Sequence, residues 1–135
     1  MLLATLGVPF AAAASTFAVD AAVESGQALI VANVTRLEPL PLSVRLGYDA
    51  LEELTPEVSA SVREPAELAR SLGVRVERVH VRSSRPLRAL LELVDELSPG
   101  LLVFGPERKS LSPRRYARAA RAISKGAHCL VWLPA

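Results

Sequence analysis

The stretch LLVFGPERKSLSPRRYARAARAISKGAHCLVWL, residues 101–133, decides the fold. It opens on an apolar run, Leu101 to Phe104, that stops at Gly105 and gives way to a basic loop. Pro113 to Lys125 then reads as a helix ended by Gly126, and His128 to Leu133 is a second apolar run. Strand, loop, helix and strand in that order form a βαβ unit, in which the two strands are parallel and the crossover is right-handed. Strands in such a sheet are covered on both faces, so they read as continuous apolar runs rather than as alternating ones.

Towards the N-terminus the same grammar repeats. Leu2 to Leu6 is an apolar run closed by Gly7, and Phe10 to Ser25 sets Phe10, Ala14, Phe17 and Ala21 at helical spacing before Gly26. Ala28 to Val34 is the next strand; Arg36 to Gly47, with Pro39 and Pro41, reads as a loop and Tyr48 to Leu54 as a short helix. Thr55-Pro56-Glu57 has the form of an N-cap with proline in the first turn, opening a helix to about Leu72 that Pro65 kinks or splits and Gly73 stops. Val74 to Arg82 interleaves valines with Arg75, Glu77, Arg78 and His80, the pattern of an edge strand protected by charge. Pro86 starts a helix with the stripe Leu87, Leu90, Leu91, Val94 and Leu97, and Pro99-Gly100 turns the chain into the run at Leu101. The alternation predicts one α/β domain over residues 1–135: a doubly wound, five-stranded parallel sheet with helices on both faces. Ligands of such sheets sit outside the carboxyl ends of the strands where the winding reverses, here the loops after the first and fourth strands.

Composition agrees with one compact unit. Of 135 residues half are apolar and 4% aromatic, enough for an aliphatic core and against disorder. Cys129 is the single cysteine, so an internal disulfide is excluded and a cytoplasmic protein is expected. Met1 to Val19 carries no charge before Asp20, yet Gly7 and Pro9 interrupt the apolar run and no Lys or Arg precedes it, so it reads as strand and helix rather than as a signal peptide or anchor. The net charge of +2 hides an asymmetry: residues 1–104 hold nine arginines against thirteen acids, a balance of −4, and residues 105–135 hold seven cations against Glu107, a balance of +6.

Three short pieces carry a resemblance. Ala4-Thr5-Leu6-Gly7-Val8-Pro9, Leu101 to Gly105, and Ala127-His128-Cys129-Leu130-Val131 are similar, in order and spacing, to the first strand and turn, the fourth strand and the last strand of the universal stress protein family. The resemblance covers Leu2 to Leu133 and implies an adenine nucleotide alpha hydrolase-like sheet with strand order 3-2-1-4-5. In the family's ATP-binding branch the first strand ends in an Asp and a pattern Gly-x2-Gly-x9-Gly-[Ser/Thr] wraps the phosphates. Here Leu6 stands at the Asp, Gly105 matches the first glycine, Arg108 replaces the second, and the third falls on Arg118, or on Ala117 counted back from Cys129. Glycine lets backbone N–H groups approach phosphate and adopt positive φ, so this degenerate motif points to the branch without strong ATP binding.

The resemblance implies a small binding and regulatory protein of the stress response that is not an enzyme and needs no cofactor. One alternative is a binder of ATP or another anionic nucleotide, with weak turnover, that uses the basic loop in place of the glycine cradle. Its candidate site comprises Thr5, Leu6, Gly7, Val34, Gly105, Arg108, Lys109, Ser110 and Arg118, with an anionic metabolite or an acidic protein surface as the partner. Arg114 is a further loop cation, and Ser110 or Ser112 is the expected cap of the last helix. A second alternative is a nucleic-acid-binding module on the stripe Arg114, Arg118, Arg121 and Lys125; such a run is more often a solvated face, so nucleic acid is not the expected partner.

His80 and His128 fall on expected strands without an obvious catalytic nucleophile or carboxylate partner and read as structural, Cys129 as an inert thiol, and the spacing of metal-ligating residues is absent. The last strand, Cys129, Leu130, Val131, Trp132 and Leu133, is apolar on both faces and falls at the sheet edge. The resemblance implies a homodimer through it, with Trp132 as anchor, against a plainer reading in which Trp132 covers a helix. No membrane partner is expected.

Overall fold

The computed structural model describes residues 1–37 and 56–133. In chain order these form β1 (Leu2–Thr5), α1 (Ala12–Ser25), β2 (Leu29–Arg36), α2 (Pro56–Ser71), β3 (Val76–Ser83), α3 (Pro86–Leu97), β4 (Leu101–Phe104), a 3₁₀ turn (Arg108–Ser110), α4 (Pro113–Gly126) and β5 (Leu130–Trp132). The expected helix at 48–54, the N-cap at Thr55 and most of the loop at 36–47 lie outside the described residues. All strand pairs are parallel and the order is β3-β2-β1-β4-β5, as expected.

Alternation along buried strands builds two cores. Leu2, Ala4 and Leu6 face one side of the sheet, where Ala32, Val34, Leu102 and Phe104 meet Leu90 and Val94 of α3 and Tyr116, Ala119 and Ile123 of α4. Leu3, Leu29, Val31 and Val103 face the other, against Ala14, Ala18 and Ala22 of α1 and Ala66 and Ala69 of α2. Alanines on that side let α1 and α2 lie close to the sheet, and each buried leucine or valine contributes about 1.5–3 kcal/mol.

Several boundaries differ from the sequence reading. Pro65 sits inside α2, which runs through it as one helix. β5 is three residues long rather than six, because only Leu130, Val131 and Trp132 pair with β4. β3 does lie at an edge, with partly exposed Val76, Val79 and Val81 between exposed charges. β5 forms the opposite edge.

Candidate functional site

The winding reverses between β1 and β4, which pair through Ala4 and Phe104. Gly7 follows β1 with φ of 71°, a left-handed turn that suits glycine. Its N–H donates to Asn33 Oδ1 at 2.8 Å, so a wholly buried side chain of β2 fixes the turn after β1. Beside Asn33 in register is Thr5, also wholly buried, whose Oγ1 makes no hydrogen bond among the described residues. A buried hydroxyl without a partner costs about 1–3 kcal/mol. On the same face Thr35 Oγ1 lies 2.8 Å from His80 Nε2, and burial, followed by Arg82, lowers the His80 pKa.

The loop after β4 is laced to the loop after β1. Gly105 N donates to Ala4 O at 2.9 Å, Ala11 N to Gly105 O at 2.9 Å and Glu107 N to Pro9 O at 2.8 Å, and Phe10 and Pro106 form an antiparallel bridge. Ser110 N and Leu111 N bond back to Glu107 O and Arg108 O within the turn. The backbone donors of Gly105, Glu107, Ser110 and Leu111 are therefore satisfied by the protein. Gly105 has a packing reason to be glycine, since a Cβ there would collide with the Ala14 Cβ of α1.

Arg108 and Lys109 are also engaged. Glu107 Oε2 accepts from Ser110 Oγ at 2.7 Å, and its Oε1 lies 3.3 Å from Lys109 Nζ. The Ser110 hydrogen bond, then Lys109, hold the Glu107 carboxyl below its ordinary pKa. Arg108 stacks over the Tyr116 ring, its guanidinium carbon 3.8 Å from the centroid, and Tyr116 stacks in turn on Phe104 with centroids 6.0 Å apart. Ser112 caps α4 by accepting from Arg115 N at 3.3 Å, ahead of Pro113 in the first turn.

The nine candidate residues thus fall into three groups. Thr5, Leu6 and Val34 belong to the interior, with Leu6 and Val34 in the core beneath Tyr116 and Phe104. Gly7, Gly105, Arg108, Lys109 and Ser110 line the two laced loops. Arg118 is exposed on the outer side of α4, whereas Arg108 covers the ring of Tyr116, a buried-face residue of that helix. Two site residues escaped the sequence reading. Asn33 is a lone amide inside an apolar run, a signal that was there to be used, and Glu107 is the single acid among the loop's cations.

Trp132 stacks on Phe17 of α1, centroids 4.5 Å apart and planes 10° from parallel, which is the plainer of the two readings of that side chain. Leu130 of the same strand is 75% exposed. Cys129 is half-buried, and burial pushes its thiol pKa up. With His128 it lines a shallow hollow of about 190 Å³ beside Asp95 and Ser98, at the end of the sheet away from the laced loops. Among the described residues no group of His, Cys, Asp and Glu is arranged to hold a metal, and no helix is long and apolar enough to cross a membrane.

Residues 1–133 match the sequence model of the Universal stress protein family. Among solved structures, the universal stress protein UspA from Lactobacillus plantarum superposes with a TM-score of 0.72 at 15% identity, covering 100% of this chain and 97% of that one. A universal stress protein in complex with cAMP gives 0.66 at 21% identity, covering 99% and 97%. One from Archaeoglobus fulgidus in complex with dAMP gives 0.60 at 16%, covering 98% and 96%. No functionally curated protein matches the sequence.

Proposed function

The chain belongs to the universal stress protein family, and from that membership we propose a binding and regulatory protein of the stress response that does not hold ATP strongly. One observation carries the proposal: Glu107 already supplies the anion that Lys109 and Ser110 bind. A triphosphate would bring several negative charges against that carboxylate, and the backbone donors of Gly105 and Glu107 are taken. Removing them would break the lacing to β1.

A nucleotide monophosphate is the better match, held by side chains rather than by a glycine cradle. Related proteins with cAMP and dAMP bound support this class. Calorimetric titration with AMP, cAMP and Mg-ATP tests the reading. Weak binding of the monophosphates, with ATP no tighter, is expected; ATP binding tenfold tighter than AMP, or no heat with any of the three, would overturn it.

A homodimer through β5 is the proposed assembly. Among the described residues the strand is hydrogen-bonded on one side only, and Leu130 stands largely exposed on it, a combination that invites a second copy. Light scattering of wild type and Leu130→Lys tests this, a monomeric wild type being the adverse result. The lone thiol supports a cytoplasmic setting, and the engagement of His80 by Thr35 supports binding rather than catalysis.

A further inference from the structure

Helix α4 has two unlike faces. Tyr116, Ala119 and Ile123 are buried on one, and at 100° per residue Arg114, Arg118, Arg121 and Lys125 fall within about 60° of arc on the opposite one. Those four and Arg115 are exposed. The stripe runs about 16 Å along the axis, and the residues beside it, Ala117, Ala122 and Ser124, are small.

This face works against the helix that carries it. α4 contains no acid, so Arg114 and Arg118, and Arg121 and Lys125, are like-charged pairs one turn apart, which repel. Arg114 and Arg115 lie in the first turn, where the helix dipole disfavours cations, and of the stripe Lys125 alone, in the last turn, is favourably placed. Among the described residues none of the five cations is in an ion pair. An ordinary solvated face mixes its signs, as α3 does with Arg88 and Glu92 at 3.3 Å. A partner that brings the missing negative charge would relieve both penalties.

The chemistry of the face selects among polyanions. A membrane surface needs apolar side chains to bury, and a stable protein interface needs an apolar or aromatic anchor at its centre; the exposed side of α4 has neither. Single-stranded nucleic acid is held by stacking aromatics, whereas Tyr116 is buried under Arg108. What remains is a rigid, regularly charged phosphate backbone, which arginine forks bind well and small neighbours let approach. We propose that the outer face of α4 binds the phosphate backbone of double-stranded DNA without reading its sequence.

The test is fluorescence anisotropy of the full-length protein with labelled duplexes of about 20 base pairs and two unrelated sequences, at about 50 and 200 mM salt. The expected result is micromolar affinity at the lower salt, equal for both sequences. With about four phosphates neutralised, the affinity should fall on the order of 100-fold between the two salts. The double variant Arg118→Glu/Arg121→Glu, with its thermal melt unchanged, should lose binding at least tenfold, and Lys109→Ala and millimolar AMP should leave it as it was. No binding at the lower salt, a double variant that binds like wild type, or equal binding to poly-glutamate or to anionic vesicles would overturn the proposal. Because AMP and Lys109 report on the laced loops, failure there and failure here are separable.

Discussion

The basic loop after β4 and the outer face of α4 carry the same kind of charge and differ in what answers it. In the loop, Lys109 meets Glu107 and Arg108 meets Tyr116. On the helix face, Arg114, Arg118, Arg121 and Lys125 meet solvent. Charge density in a sequence therefore says little about where an anion will bind; a single acid in the right turn converts a candidate anion site into a self-satisfied one. The loop is built into the fold, and the helix face is carried on top of it.

That contrast can be broken most forcefully at Gly105. Gly105→Val forces a side chain into Ala14 and should cost about 1–3 kcal/mol, read as a loss of several degrees in Tm. Arg118→Ala on the outer face should stay within about 0.5 kcal/mol. Equal melting of the two variants would remove the claim that the loop is structural.

Thr5→Val tests the interior of the same region. It deletes a buried hydroxyl that has no partner among the described residues, so the protein should gain about 1 kcal/mol in chemical denaturation. A destabilised variant would mean that the hydroxyl is satisfied in solution.

The cations themselves come next. Arg108→Ala should lose the stacking on Tyr116, about 0.5–1 kcal/mol, whereas Arg115→Ala should leave chemical denaturation unchanged. The smallest effect is a pH dependence. The Glu107 carboxyl is held below its ordinary pKa, so its contribution is complete above the ordinary carboxylate value and is lost as pH falls through the lowered one. Glu107→Gln should flatten that acid limb slightly and, by freeing Lys109, raise affinity for inorganic phosphate several-fold. An unchanged phosphate affinity would show that Glu107 is not the competing anion.

Much of the fold is legible in the residues because parallel strands announce themselves. Leu2 to Leu6 and Leu101 to Phe104 are apolar on both faces, and Gly7, Gly26 and Gly73 mark turns with positive φ. The site is less legible, for physical reasons. Gly105 reads as a relic of a phosphate motif, but its constraint is the distance to a helix ninety residues earlier in the chain, about which spacing is silent. Glu107 reads as a minor deduction from a positive balance until a 3₁₀ turn brings Ser110 back to it. Trp132 is open to two readings in the sequence, anchor for a second chain or cover for a helix, because spacing alone does not show that Phe17 lies within reach of it.

The stack of Trp132 on Phe17 also has a practical side. Trp132 is the only tryptophan in the chain, and its ring rests on the helix whose Ala14, one turn away from Phe17, abuts Gly105. Emission from this one indole is therefore a built-in optical gauge of how α1 sits against the β5 margin, readable without any label.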